Sequence, residues 1–140
     1  MATIFTKIID GEIPGTFVWR DPVCVAFLSI APMTPGHTLV VPRAEVDHWI
    51  DLDPEVAEHC FGVAQTIGRA QRDAFGPRRI GMMIVGDEVP HTHLHVVPID
   101  EVSQLSFAHA DPSPPPGALD AAAARIRAAL QALGAAGVSE

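Results

Sequence analysis

The chain has 140 residues, 48% of them hydrophobic and 19% charged, with 9 Lys plus Arg against 17 Asp plus Glu. That length predicts one domain able to hide roughly two-thirds of its unfolded surface, and the composition excludes disorder as the main state. A formal charge of −8 is a poor platform for duplex nucleic acid, whose phosphates reward a basic face, yet it leaves room for a small phosphorylated ligand held by local donors.

From the N-terminus, residues 1–7 carry no apolar signal core, and no run approaches the ~18 apolar residues of a membrane span. The expectation is a soluble, cytoplasmic protein with no membrane or nucleic-acid partner. Residues 16–20 and 23–30 are rich in β-branched and aromatic side chains around Asp21-Pro22 and read as a hairpin. A breaker cluster, Ala31 to Gly36, precedes a strand at 37–41 that Pro42 stops.

Asp53-Pro54-Glu55 is a helix start: a capping Asp, a proline at the first helical position and an acid in the first turn. Val56, Cys60, Val63, Ala64, Ile67, Ala70 and Ala74 then recur at spacings of three and four, up to Gly76-Pro77. Cys24 and Cys60 sit in apolar surroundings, too far apart in sequence for a metal-type pair, and read as two buried thiols in a reducing compartment. Residues 79–85 and 91–99 read as strands around a turn at Gly86-Asp87. Residues 103–116 look irregular, with a stiff Pro-rich run, and the Ala-rich stretch 118–133 reads as a helix. The predicted fold is α+β: a mostly antiparallel sheet of about five strands, one long central helix and a C-terminal helix. Residues 1–110 form the expected domain, with the linker and helix of 111–140 packing on it or across a dimer.

The chemistry lies in His91-Thr92-His93-Leu94-His95-Val96-Val97. On a strand, alternation puts the three imidazoles on one face about 6.5–7 Å apart, and Thr92, Leu94 and Val96 on the other. Three polar rings in a row need a ligand, metal or water partner. Metal binding through His-x-His is one chemistry they suit. Phosphorus chemistry is the other, with one imidazole as nucleophile and its neighbours holding phosphate oxygens.

This run resembles the His-φ-His-φ-His-φ-φ signature of the histidine triad (HIT) superfamily, with Thr92 at the first φ position. Ile4-Phe5-x-Lys7-Ile8-Ile9-x-Gly11-Glu12-Ile13-Pro14, Val25-Ala26-Phe27 and Pro35-Gly36-His37-Thr38-Leu39-Val40-Val41-Pro42 agree in the same order. The likeness spans roughly residues 3–99 and is closest to the Hint-type branch of nucleotide phosphoramidases. It implies a homodimer with joined sheets, a purine nucleotide substrate and no cofactor. His93 would attack the α-phosphorus to give a nucleotidyl-histidine that water hydrolyses. His95 would bond phosphate oxygens, while His91 and His37 hold the active ring and its tautomer. The base pocket maps onto Ile4, Phe5, Ile8, Ile13, Phe27 and Ile30, with Val89 beside the triad. Rival readings are a dinucleoside polyphosphate hydrolase, a metal-dependent hydrolase with His91, His93 and His95 as ligands, and a non-catalytic nucleotide binder.

Three positions depart from the family pattern. Where zinc-carrying members have a Cys-x-x-Cys and a following histidine, this chain has Thr3, Thr6 and Glu45, so no structural zinc is expected. The ribose-binding acid falls at Ser29, which offers one weaker contact. Before the triad, Glu88 takes the place of a serine that lies by the leaving group. There it would favour amines, which leave as cations, unless it turns to solvent or pairs with Arg78 or Arg79. His59 is expected on the exposed side of the helix, His48 as a cap or partner, and His109 as a tail residue able to approach the site.

Overall fold

The central helix organises everything else. In the computed structural model, which describes residues 2–139, α2 spans Pro54–Phe75. The Asp53 side chain accepts from the Glu55 amide at 3.0 Å, and Gly76, in a left-handed conformation at φ 60°, ends the helix. Its buried stripe, Cys60, Val63, Ala64, Ile67, Ala70 and Gln71, lies against a five-stranded sheet. Gln71 pins the two together by donating to the carbonyls of Gly36 at 2.9 Å and Val96 at 2.8 Å.

The strands are β1 (Phe17–Arg20), β2 (Cys24–Leu28), β3 (Thr38–Pro42), β4 (Arg79–Met83) and β5 (Leu94–Ile99). Their spatial order is β1-β2-β3-β5-β4, and every neighbouring pair is antiparallel. The α+β class and the antiparallel sheet are therefore as expected. Strict alternation divides the side chains between two faces. Cys24, Ala26, Leu28, Val40, Leu94 and Val96 join the core under α2. Val25, Phe27, Leu39 and Val41 form a second cluster with Phe5.

Helix α3 (Ala118–Ala132) packs its own Ala122, Ala123, Ile126 and Leu130 into the α2 core. Beyond it, the chain returns to β1. The Arg20 amide donates to Gly137 at 2.9 Å and the Ser139 amide to Val18 at 3.0 Å, which covers the outer edge of the sheet on that side. On the far side β4 has a single strand neighbour, β5. Among the described residues no helix is long and apolar enough to cross a membrane.

Two regions differ from the expected elements. A short helix, α1 (Ile4–Ile9), precedes the sheet. Six residues are too few for a periodic signal, and contact of Phe5 with the second cluster holds the turn in place. The irregular stretch after β5 contains two 3₁₀ turns, Val102–Gln104 and Phe107–His109.

Candidate active site

The histidine row does not lie on a strand throughout, as the alternation rule had suggested. β5 begins at Leu94, whose partner on β3 is Val40. Upstream, the Thr92 amide leaves the sheet and donates to Val46 at 2.8 Å, while the His91 amide turns back to Val89 at 2.8 Å. Pro90 has no amide to extend a ladder. The rings are consequently closer than a flat strand would set them, with those of His93 and His95 centred 4.9 Å apart.

Backbone groups fix the proton on each ring, because an amide can only donate and a carbonyl can only accept. His91 is fully buried and places Nε2 2.7 Å from the Pro42 carbonyl, so that nitrogen carries the proton. Its Nδ1 then accepts from the Thr3 hydroxyl at 2.7 Å. His93 donates Nδ1–H to the His91 carbonyl at 2.7 Å, which leaves a lone pair on Nε2. The Met33 amide donates to His37 Nδ1 at 3.0 Å, so His37 donates Nε2–H to His95 Nδ1 at 2.9 Å. The remaining proton of His95 therefore sits on Nε2, a buried nitrogen with no partner among the described residues. His37 thus orients His95 rather than the middle ring. It follows Gly36, whose φ is 92° and where a Cβ would meet the Phe75 ring at 2.5 Å, so only glycine fits that turn.

Burial favours the neutral form of His37, His93 and His95. It pushes His37 down to about 4 and His95 to about 3, with neighbouring imidazoles adding to the effect, and it also lowers His93. Neutral imidazole is the form in which a nitrogen lone pair is available.

His37, His93 and His95 open onto a cavity of about 670 Å³, within the usual range for small-molecule sites. Ile4, Phe5, Ile8, Phe27, Ser29, Ile30, Glu88 and Val89 line it with them. Two expected residues stand outside: Ile13 is not part of the wall, and His91 lies behind it. Phe5 bridges the parts, its ring centred 4.8 Å from that of His93 and 5.5 Å from that of Phe27. Ser29 accepts from the Ala31 amide at 3.2 Å, which leaves its hydroxyl proton free.

Several wall residues were not foreseen. Leu39 on β3 stands two residues after His37, which directly precedes the strand, so the period-two rule could have found it. Phe107 and Asp120 come from the tail, with Phe107 set edge-on to His95 at 5.5 Å, and no local signal marks them. His109 stays outside this cavity; its Nδ1 donates to the Met33 carbonyl at 2.8 Å, bracing the residue that orients His37. Glu88 is exposed and, among the described residues, pairs with neither Arg78 nor Arg79. His59 is half-exposed on α2 and pairs with Asp21, while His48 precedes a 3₁₀ turn without capping it through its side chain.

Thr3, Thr6 and Glu45 form a hydrogen-bonded clamp. The Thr3 amide and the Thr6 hydroxyl each donate to Glu45 Oε1 at 2.7 Å, and the first of these bonds leads in holding the Glu45 carboxyl below its usual range. These residues do not suit a structural zinc. Two donors are hydroxyls, and the Glu45 oxygen and His91 Nδ1 are already engaged.

The fold is thus an antiparallel α+β sheet with neutral imidazoles at the wall of a cavity of small-molecule size. The family profile described as HIT domain matches residues 10–102, and the chain belongs to the HIT family. It is 38% identical over 102 residues to Protein hit of Bacillus subtilis, covering 68% of this chain and 69% of that one. Among solved structures, a zinc-bound histidine triad family protein from Mycobacterium smegmatis superposes with a TM-score of 0.83 at 31% identity, covering 96% of each chain. A Hit-like protein from Bartonella henselae gives 0.78 at 32% identity, covering 91% of this chain and 95% of its own.

Proposed function

We propose that this protein hydrolyses phosphoramidate or related bonds of nucleoside 5′-monophosphate conjugates through a nucleotidyl intermediate on His93. The observation that carries the reading is the opposite character of two nitrogens on adjacent lining residues, set by their hydrogen bonds. His93 Nε2 offers a lone pair because its other nitrogen is tied to the His91 carbonyl, and His95 Nε2 offers an unpartnered N–H. A nucleophile beside a fixed donor suits attack on phosphorus, with the donor stabilising charge on a non-bridging oxygen. The new bond joins His93 Nε2 to the α-phosphorus as the bond to the amine breaks, and the amine takes up a proton. Water then cleaves the P–N bond to His93 and releases the nucleoside monophosphate.

The apolar wall of Ile4, Phe5, Ile8, Phe27 and Ile30 suits the face of a purine. The charges of the cavity favour a substrate with a single phosphate. Its wall contains Glu88 and Asp120 but no Lys or Arg, a poor match to the several charges of a dinucleoside polyphosphate. Glu88, next to His93 in the same wall, suits a leaving group that departs as a cation. The metal-dependent reading has little support, because both nitrogens of His91 and one of His93 are engaged with protein groups. The bare outer edge of β4, with Phe61 and Met82 exposed beside it, supports a homodimer that continues the sheet.

The test is to mix the enzyme with adenosine 5′-phosphoramidate and, separately, with a diadenosine polyphosphate, quenching early and mapping the adduct by mass spectrometry. The expected result is faster turnover of the phosphoramidate and a nucleotidyl group on His93. An adduct on another side chain, or preference for the polyphosphate, rejects the proposal. Glu88→Gln should reduce the preference for amine over alcohol leaving groups; an unchanged ratio removes Glu88 from that role.

A further inference from the structure

A second group of chemically active side chains lies on the α2 side of the sheet, away from the histidine cavity. Asp21 sits in the β1–β2 turn, Cys24 opens β2 and His59 projects from α2. One ligand atom from each converges: Asp21 Oδ2 is 2.7 Å from His59 Nε2 and 3.7 Å from Cys24 Sγ, and all three lie within 4.8 Å of one another. We propose that Asp21, Cys24 and His59 bind one divalent transition-metal ion of the zinc type, as a site that ties the β1–β2 turn to α2.

The donor set fits that class of ion. Thiolate, imidazole and carboxylate together suit borderline-soft Zn²⁺, whereas Mg²⁺ and Ca²⁺ require oxygen. Zinc bonds of about 2.0–2.3 Å in a tetrahedron set ligand–ligand edges of about 3.3–3.7 Å. The carboxylate–sulfur edge already has that length, and His59, half-exposed on its helix, needs only to swing outward from Asp21. The His59 side chain is exposed beside the buried Cys24 thiol, which gives an ion a route in from the helix side.

The surroundings hold the carboxylate ready. Asp21 Oδ1 accepts the amides of Val23 at 2.7 Å and Cys24 at 2.8 Å, and Trp19 Nε1 donates to Oδ2 at 2.7 Å. Such partners orient a ligating group while leaving a lone pair free. Although burial opposes ionisation of Asp21, its hydrogen bonds outweigh that and lower it to about 2. The neighbouring Cys60 thiol and burial push the Cys24 thiol up, so without metal it stays protonated. Binding therefore expels the Cys24 proton to solvent, and a dication against one thiolate and one carboxylate leaves the centre neutral. Arg43 donates to the Asp21 carbonyl but is exposed, so water screens its charge.

Cys24 and Cys60 are both free, buried thiols, as the sequence predicts, and sequence spacing carries no signal for a site that draws on Asp21 and His59. In the fold the Cys24 thiol lies beside both Cys60 and the Asp21 carboxylate, and His59, one residue before Cys60 on the helix, reaches that same carboxylate. The inference is independent of the phosphoramidase reading.

The experiment is a competition titration of reduced, metal-stripped protein with Zn²⁺ against a chromophoric chelator, in a His93→Ala background that disables the histidine cavity as a metal trap. One ion per chain should bind at sub-micromolar concentration. His59→Gln, on an exposed helix position that leaves folding intact, and Cys24→Ser should each weaken binding by about 100-fold, whereas Cys60→Ser should change it little. Co²⁺ should give a thiolate charge-transfer band that Cys24→Ser abolishes. Absence of such binding, or binding indifferent to both His59→Gln and Cys24→Ser, overturns the proposal.

Discussion

The two faces of the sheet use the same alternating strands for opposite ends. Under α2 and α3, Val40, Leu94, Val96, Ile67, Ile126 and Leu130 form a filled apolar core. On the other face, Phe5, Phe27 and Leu39 share their layer with a cavity and with imidazoles whose protons are set by backbone amides and carbonyls. The first face is apolar packing throughout its strands, while the second joins a smaller apolar cluster to a row of hydrogen-bonded imidazoles that lines the cavity. Because adjacent residues on one strand serve different faces, stability and chemistry should separate on substitution.

The sharpest way to break that comparison is His93→Ala. Turnover should fall by on the order of 10³ or more, as for loss of a covalent nucleophile, while the melting temperature and nucleoside monophosphate binding change little. Steady-state kinetics beside calorimetry read both. On the filled face, Ile126→Ala should cost about 2–5 kcal/mol of stability through lost burial and a residual cavity. Its kcat per folded molecule should match wild type. A large loss of kcat in Ile126→Ala with full occupancy of the folded state would show that the faces are coupled.

Much of this division is legible in the amino acids. The α2 stripe and its Asp-Pro-Glu start announce a helix because three cues agree over 22 residues. The histidine run and Gly36-His37 mark the site because bulky polar rings have no bland role there. Long-range closure is what escapes. Six residues of α1 hold their helix through Phe5 rather than by propensity. Phe107 and Asp120 reach the cavity only because the tail folds back, with Asp111 donating its amide to Pro32 at 2.9 Å. Likewise the strand stops before His91 because Thr92 finds Val46, a pairing between residues 46 positions apart.

Smaller effects sharpen the comparison along the pH axis. The unfolded chain takes up its imidazole protons near pH ~6.5, but folded His37 waits until about 4 and His95 until about 3. Where the unfolded state binds more protons, stability rises with pH. The contribution of these rings is thus complete above about 6.5 and is lost as pH falls through the folded values. Denaturant melts from pH 7 to 4 should show this decline, and His37→Leu should flatten part of it. With one donor to His95 removed, His37→Leu should also lower kcat by on the order of 10–100-fold, with a smaller change in KM.

The smallest expected effect concerns the clamp of Thr3, Thr6 and Glu45. Glu45 is exposed, and its bonds to Thr3 and Thr6 reach the site only through the Thr3 hydroxyl on His91 and the His91 carbonyl on His93. Exposed polar contacts contribute little to stability, so Glu45→Gln should leave the melting temperature almost unchanged. Thr3→Val acts one step closer, because it strips His91 Nδ1 of its donor in a fully buried position. It should lower the melting temperature more than Glu45→Gln, and kcat by a few-fold through a less firmly held His93 ring. If Glu45→Gln proved the more damaging of the two, the clamp would be acting on the site by charge rather than through this chain of bonds, and a salt titration of the wild-type rate would then show strong screening.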